Sequence, residues 1–240
     1  EELKRIVSML HASGLQLSMH VIGDKALDVT LDVVEAALKE KPRTDHRHRI
    51  EHVIVSPKPG SLERVKSLGV LLSLQPTFIY NGGDLANYMY GSERTQKMIP
   101  AKTAKNMGIP VGLGSDFPST IDTRPQRTLW TAVTRKAFLG QVVGAQESVT
   151  IQEALYMHTM GSAYLIRDEK IIGSIETGKL ADMVVWSDDL YAMPTDKIPD
   201  LKAEITILGG KIVYQKTTTT TAGMQTVSPP QIQTPTSGLA

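Results

Sequence analysis

The sequence predicts an α/β fold in which helices cover a parallel sheet. Short apolar segments typical of buried strands alternate four times with segments that have helical periodicity. This repeated order of strand and helix is the pattern of parallel strands joined by crossover helices. Beyond about residue 170 the chain changes to short β-rich segments punctuated by glycine. The change indicates a second, smaller unit.

Each element of the first unit follows from local pattern. Apolar or alternating runs predict strands at residues 15–20, 49–55, 70–74 and 109–113. Helical periodicity predicts helices at residues 3–10, 24–38, 62–68, 92–98, 101–107, 126–138 and 150–160. Thr150 and Glu153 form the sequence pattern of a capping box, and Asp24 is placed to cap the second helix. Residues 77–91, rich in Asn, Gly and Tyr, are interpreted as a long loop.

Three segments follow from this pattern. Residues 1–169 contain four strand–helix units, whereas a closed TIM (β/α)8 barrel has eight units in about 250 residues. We therefore expect a partial TIM barrel here. Residues 170–215 are expected to form part of a small β-sandwich, with a hairpin around Gly209 and Gly210. Residues 216–240 are rich in Thr, Pro, Ser and Gln and are expected to be disordered.

Composition narrows the possible functions. Of the 240 residues, 41% are hydrophobic and 21% charged, and the net charge of +1 implies no general attraction to nucleic acid or membrane surfaces. We expect a soluble protein, cytoplasmic by default. The absence of cysteine excludes disulfides and Cys-ligated metals, which leaves His and carboxylates as metal ligands. The chain starts at Glu1, without Met and inside a predicted helix, and is interpreted as a fragment.

Three residues are candidate metal ligands. His20, His52 and Asp116 each lie at or near the carboxyl end of a predicted strand, the end where ligands collect in parallel α/β folds. Two imidazoles and a carboxylate suit Zn²⁺ or a similar divalent ion. A strand-end histidine is also a common packing residue, and an aspartate after Gly-Ser is a common turn residue. Spacing alone leaves both interpretations open.

For other polar residues, the sequence pattern supports a functional role less strongly than it does for His20, His52 and Asp116. Arg94, Arg135 and Tyr80 are candidates for substrate binding, because arginine binds carboxylates bidentately and a loop tyrosine can line a substrate entrance. The alternative for both arginines is an ordinary solvated position. His46 and His48 precede a strand and are expected to be exposed, whereas the helical His11 and His158 are expected to be structural.

An ordered set of motifs resembles the amidohydrolase superfamily, and more narrowly the amidohydrolase-3 branch that includes N-substituted formamide deformylase. The motifs are His20-Val21-Ile22-Gly23-Asp24-Lys25-Ala26, His48-Arg49-Ile50-Glu51-His52, Ser73-Leu74-Gln75-Pro76-Thr77, Gly114-Ser115-Asp116-Phe117-Pro118, Gly178-Lys179-Leu180-Ala181-Asp182 and Gly209-Gly210-Lys211-Ile212-Val213-Tyr214. Together they cover about residues 1–215.

The resemblance implies a metal-dependent hydrolase in a (β/α)8 barrel flanked by a small β-sandwich, of which this chain is the C-terminal portion. In that family, histidines after the fifth and sixth strands and an aspartate after the eighth bind one or two metal ions. Those positions match His20, His52 and Asp116. The family's first-strand His-x-His pair and its bridging lysine or acid near the fourth strand have no counterpart here.

The implied reaction is hydrolysis of a non-peptide carbon–nitrogen bond in a small amide or formamide. A divalent metal, Zn²⁺ first among the candidates, would activate water, and Asp116 would serve as general base. The alternative is an inactive fragment or paralogue with a structural or metal-binding role only. The sequence leaves substrate and oligomeric state open.

Overall fold

The chain forms two separate sheets, and helices surround the first. A computed structural model describes residues 1–217. The larger sheet has four parallel strands in the order β1-β2-β3-β4, namely Ser18–Val21, Arg49–His52, Leu71–Leu74 and Val111–Leu113. The smaller sheet has three antiparallel strands in the order β5-β6-β7, namely Met183–Trp186, Ala203–Leu208 and Lys211–Gln215. The predicted α/β class with a parallel sheet is confirmed.

Nine α-helices are present in residues 1–217. They are α1 Glu2–Ala12, α2 Asp24–Glu40, α3 Ser61–Ser67, α4 Thr77–Tyr90, α5 Ser92–Thr95, α6 Ala101–Asn106, α7 Pro125–Thr134, α8 Ile151–Tyr156 and α9 Ser162–Leu165. A π-helical segment, Met157–Gly161, joins α8 to α9. The predicted capping box at Thr150 and Glu153 is confirmed, with both reciprocal hydrogen bonds formed. Among these helices, none has the length and apolar character that crossing a bilayer demands.

The two faces of the parallel sheet differ in character. Met19, Ile50, Leu72 and Val111 occupy one row across the four strands, and they pack with apolar residues of the helices, such as Leu31 of α2. Paired residues of parallel strands point to the same face, whereas the next residue points to the other. The adjacent row, His20, Glu51, Ser73 and Gly112, therefore lies on the opposite, mostly polar face.

The prediction of a long loop at residues 77–91 is wrong, because that segment is helix α4. Asn81, Gly82 and Gly83 have low helix propensity, but tertiary packing outweighs propensity in this segment. A Cβ on Gly83 would lie 2.9 Å from the Ala137 side chain and 3.0 Å from that of Val143. Gly83 thus allows α4 to approach its neighbours closely rather than forming a turn.

Arg135 is buried and structural, which corrects the prediction that it binds substrate. Helix α7 ends at Thr134, earlier than predicted, because Arg135 adopts a left-handed backbone with φ +56°. Its side chain is 0% exposed, and its guanidinium donates to the carbonyls of Val143, Ile99 and Met98 at 2.9, 3.1 and 2.6 Å. Burial lowers the pKa of Arg135 to about 10. A buried guanidinium bonded to three carbonyls is not accessible to a substrate carboxylate.

The helical segment after α8 covers the outer edge of β4. The Ser162 hydroxyl donates to the Leu113 carbonyl at 3.0 Å. A Cβ on Gly161 would clash with the Val111 carbonyl oxygen, so only glycine permits this approach. The segment therefore satisfies the Leu113 carbonyl and packs closely against that of Val111.

Three buried histidines lie at the amino end of the parallel sheet. His48 and His11 are 0% exposed and His46 is 5% exposed, so the expectation that His46 and His48 are exposed is wrong. His48 Nε2 lies 2.8 Å from His11 Nδ1, and His48 Nδ1 accepts from the Leu17 amide at 3.0 Å. We call His11, His46 and His48 the histidine cluster.

Hydrogen bonding fixes the protonation of the whole histidine cluster. Because His48 Nδ1 accepts from an amide, His48 Nε2 must carry its proton and donate to His11 Nδ1. His11 Nε2 then donates to the Lys41 carbonyl, and His46 Nε2 donates to the Leu68 carbonyl while its Nδ1 accepts from the His48 amide. Every ring nitrogen is satisfied only when all three imidazoles are neutral. Burial accordingly lowers the pKa of His48 to about 3.

The small sheet contains the predicted hairpin. Strands β6 and β7 pair in an antiparallel manner, with Leu208 opposite Lys211. Gly209 and Gly210 connect them with φ of +55° and +79°, the left-handed pair that a type I′ turn requires. The prediction of disorder at residues 216–240 lies outside the described residues from 218 onward.

Candidate metal centre

His20 and His52 come together at the carboxyl ends of neighbouring strands. His20 lies in β1, and His52 is the last residue of β2, where it pairs with Val21. Because β1 and β2 are hydrogen-bonded neighbours, their end residues share one edge of the sheet. The two imidazole rings meet edge to face with their centroids 4.5 Å apart. The structure therefore pairs two of the three predicted ligands.

The backbone at His52 departs from regular strand geometry. His52 and Val53 have φ of +83° and +49°, values that non-glycine residues adopt at a cost of about 1–3 kcal/mol each. Two hydrogen bonds back to β1 hold this turn, from the Val53 amide to the Val21 carbonyl at 2.9 Å and from the Val55 amide to the Ile22 carbonyl at 3.0 Å. Such strain concentrates at functional sites, although Arg135 has a left-handed backbone for a structural reason.

Gln75 holds the His52 ring and was missed as a site residue. Its side-chain oxygen lies 2.8 Å from His52 Nδ1, and its amide nitrogen donates to the Ser73 hydroxyl at 3.2 Å. Both His52 and Gln75 are buried, at 6% and 5% exposure. The sequence did contain a signal, since Gln75 immediately follows β3 at the edge that carries the candidate ligands.

Asp116 lies on the loop that follows β4, at the same edge of the sheet. Its backbone is also left-handed, with φ +57°. The preceding Ser115 carbonyl accepts from the hydroxyls of Thr77 and Thr120 at 3.2 and 2.8 Å, which fixes the loop against α4. Neighbouring strands lie about 4.8 Å apart, so the ends of β1 and β4 are separated by about 14 Å along the sheet.

The donor set fits a divalent ion, but the described residues do not gather it into one cluster. Imidazole nitrogens and a carboxylate are zinc ligands, and a ring held through Nδ1 offers Nε2 to a metal. His52 meets that condition through Gln75. Among residues 1–217, however, no three His, Asp or Glu side chains are grouped closely enough to hold an ion. The histidine pair and Asp116 thus share an edge without forming a closed cluster.

The polar face below His52 carries a partly buried acid in a hydrogen-bonded row. Glu51 accepts from the Arg49 guanidinium at 2.6 Å and from the Ser18 hydroxyl. Burial raises the pKa of Glu51, but hydrogen bonds from Arg49, Ser18 and Ser73 outweigh burial, and the net pKa is lowered. Glu51 is therefore an anion and a pure acceptor at neutral pH.

Arg94 and Asp24 form an ion pair near the histidine edge. The Arg94 guanidinium lies 2.8 Å from an Asp24 carboxylate oxygen. Gly23 is the N-cap residue of α2 and Asp24 is the first residue of the helix, so the prediction that Asp24 caps this helix is wrong. A substrate carboxylate would compete with Asp24 for the Arg94 guanidinium.

Tyr80 lies in helix α4 and packs in an aromatic group, whereas the sequence analysis placed it in a long loop. The Arg127 guanidinium lies over its ring, 4.1 Å from the centroid, and the rings of Phe138 and Trp130 lie 5.6 and 6.0 Å away. These contacts fix the ring of Tyr80 on α4. Its part in substrate binding stays a prediction.

An apolar cavity adjoins the histidine edge. The Phe78 ring meets the His52 ring edge to face, with centroids 5.4 Å apart, and Phe78 lines a cavity of about 190 Å³. The other lining residues come from α4 and two neighbouring segments, and they are Ile54, Asn81, Gly82, Met89, Tyr90 and Met98. None of these lining side chains carries a charge.

The fold and the edge define an α/β protein with candidate metal ligands at the carboxyl ends of its parallel strands. The chain belongs to the amidohydrolase family, whose family model matches residues 1–214. This match confirms the resemblance to the amidohydrolase-3 branch.

Individual relatives agree with this assignment. The chain is 30% identical over 205 residues to the N-substituted formamide deformylase of Arthrobacter pascens, covering 85% of this chain and 37% of the relative. It is 31% identical over 223 residues to the protein LONG AFTER FAR-RED 3 of Arabidopsis thaliana, covering 89% and 36%. A solved uncharacterized metal-dependent hydrolase from Pyrococcus horikoshii OT3 superposes with a TM-score of 0.69 at 32% identity, covering 81% and 38%. The chain thus spans less than half the length of each.

Proposed function

We propose that this chain is part of a metal-dependent hydrolase that cleaves non-peptide carbon–nitrogen bonds in small amides or formamides. Residues 1–169 would form the second half of a (β/α)8 barrel, and residues 170–215 would contribute to a small β-sandwich. The first barrel half would supply the remaining metal ligands. We use "full-length protein" for the polypeptide that joins that half to this chain.

The paired histidines at the carboxyl edge of the sheet carry this proposal. Their ring centroids are 4.5 Å apart, and His52 is held through Nδ1. Both His52 and Asp116 have a left-handed backbone, a conformation that is frequent at functional sites. Membership of the amidohydrolase family supports the same interpretation.

The chemistry divides between the ligands and the acid. A bound divalent ion, with Zn²⁺ favoured by the donor set, would supply a lowered pKa for water and polarisation of the substrate carbonyl. His20, His52 and Asp116 would hold the ion, and Asp116 would also act as the general base. Asp116 would accept the proton of the attacking water and deliver it to the nitrogen as the carbon–nitrogen bond breaks. The proton lost by water thus leaves with the amine product.

Two features would shape substrate choice. The uncharged cavity beside Phe78 suits an apolar part of the substrate. Arg94 would bind a substrate carboxylate in competition with Asp24. An acidic substituent is therefore expected to gain little over a neutral one.

A second candidate function is a metal-binding or structural role without hydrolysis. The observation that favours it is the lack of a three-ligand cluster within residues 1–217. Hydrolysis by the full-length protein, with loss of activity on chelation, separates the two candidates.

The test is a substrate panel assayed on the full-length protein with and without a zinc chelator. Neutral and carboxylate-bearing amides and formamides form the panel. We expect hydrolysis of at least one neutral member, abolished by the chelator and restored by added Zn²⁺. Activity that survives chelation would refute the metal-dependent mechanism, and a strong preference for acidic members would assign Arg94 a larger role than proposed here.

A further inference from the structure

A row of hydrogen bonds on the polar face ends at the proposed ligand His52. Gln75 connects His52 to Ser73, through distances of 2.8 Å to His52 Nδ1 and 3.2 Å to the Ser73 hydroxyl. Ser73 in turn faces Glu51, its partner across β2 and β3. The row therefore runs from a partly buried carboxylate on the sheet face to an imidazole at the sheet edge.

Each hydrogen bond in this row has a defined donor and acceptor. The Glu51 carboxylate accepts hydrogen bonds from Arg49 and Ser18, and the Ser73 hydroxyl, its partner across β2 and β3, also donates to it. The Ser73 oxygen is then free to accept from the Gln75 amide nitrogen. With its nitrogen committed to Ser73, Gln75 must present its oxygen to His52. His52 Nδ1 is therefore the protonated nitrogen, and His52 Nε2 keeps its lone pair.

We propose that Gln75 is a positioning residue that, together with Ser73, selects the tautomer of His52 in which Nε2 is free to bind a metal. Metal-binding histidines commonly donate their other ring nitrogen to a fixed acceptor. Here the acceptor is an amide whose orientation depends on Ser73 and Glu51. The opposite amide orientation would donate to Nδ1 and place the proton on Nε2, which blocks that nitrogen as a ligand.

Burial makes this selection strong. His52 and Gln75 are 6% and 5% exposed, so water has little access to satisfy a wrongly oriented amide or imidazole. An unpaired buried polar group is costly, and the row avoids this cost in only one direction. The selection of the tautomer is a property of the metal-free chain, whereas its effect on metal affinity rests on the proposed function.

The test is ¹⁵N NMR of the His52 ring in the metal-free chain. We expect the spectrum of the parent chain to show protonated Nδ1 and unprotonated Nε2. Gln75→Leu removes the acceptor and is expected to shift His52 toward the tautomer with protonated Nε2. Gln75→Glu retains an acceptor for Nδ1 and is expected to keep the parent tautomer. An Nε2-protonated parent, or an unchanged tautomer in Gln75→Leu, would overturn the proposal.

Ser73→Ala provides a second variant that leaves Gln75 in place, and it decides the question if Gln75→Leu fails to fold. Without the Ser73 oxygen both amide orientations become available, so a mixture of His52 tautomers is expected. A single unchanged tautomer would overturn the relay through Ser73.

Zinc affinity provides a readout that depends on the proposed function. In the full-length protein, Gln75→Leu is expected to weaken Zn²⁺ binding by about 10- to 100-fold, and Gln75→Glu to weaken it less. A shifted tautomer with unchanged zinc affinity would refute the link to metal binding and count against His52 as a ligand. It would leave the selection of the tautomer intact.

Discussion

Replacing Asp116 with Asn in the full-length protein is expected to lower kcat by at least about 10²- to 10⁴-fold, the contribution typical of a general acid–base group. The amide of Asn cannot accept a proton from water at neutral pH. Asn also tolerates the left-handed backbone that Asp116 adopts at φ +57°, so the loop is expected to keep its shape. The measurement is steady-state hydrolysis of the best amide in the substrate panel.

A matched exposed position separates loss of the base from a general effect of removing a carboxylate. Asp200 pairs weakly with Lys197 at 3.5 Å, and its side chain is 69% exposed. Asp200→Asn is expected to retain parental turnover. Near-parental turnover in Asp116→Asn, with correct folding shown by circular dichroism, would remove Asp116 from the mechanism.

The histidine cluster is expected to make the chain less stable as the pH falls from 7 to 5. The pKa of His48 is about 3 when folded, against an ordinary value of 6.5, so the unfolded state binds more protons in this range. The stability that the folded chain gains by keeping His48 neutral is complete above about pH 6.5 and is lost as the pH falls toward 3. Because proton binding is linked to unfolding, the free energy of unfolding is expected to fall by about 2 kcal/mol between pH 7 and 5.

Denaturant unfolding at a series of pH values measures this effect. The range from 7 to 5 lies above the ordinary carboxylate pKa of about 4, so histidines dominate the slope. His48→Gln supplies an amide donor and acceptor that do not titrate, and it is expected to flatten the dependence on pH. A parent chain with the same unfolding free energy at pH 7 and 5, or an undiminished slope in His48→Gln, would contradict this account of the cluster.

The sequence predicted the sheet well because strand signals are local. The four parallel strands lie within the predicted segments apart from Val21, although each is shorter than predicted. The capping box at Thr150 and the Gly209–Gly210 hairpin also depend only on neighbouring residues. Periodicity and turn chemistry are sufficient for such elements.

The wrong predictions concern features that depend on distant contacts. Helix α4 was missed because the need for Gly83 arises from Ala137 and Val143, more than fifty residues away. His48 gives no local sign of burial, because its partner His11 lies 37 residues earlier in the chain. Arg135 resembles an ordinary helical arginine until its carbonyl partners are known.

In the candidate site, too, some features follow from local sequence and others depend on distant contacts. Strand ends alone suggested His20, His52 and Asp116, and the family resemblance supplied their proposed role. The pairing of His20 with His52 follows from β1 and β2 being neighbours in the sheet. The contact between Gln75 and His52 depends on the direction in which the Gln75 side chain points, and no sequence pattern provides that direction.

Metal content tests the central claim most directly. After dialysis against trace zinc, the full-length protein is expected to retain at least one zinc ion per chain by elemental analysis, and His52→Ala and Asp116→Ala are expected to lose it. This chain alone is expected to bind zinc more weakly, because its described residues bring together only His20 and His52. Zinc retained equally by the parent and both variants, or by none of the three, would contradict the assignment of this edge as a metal centre.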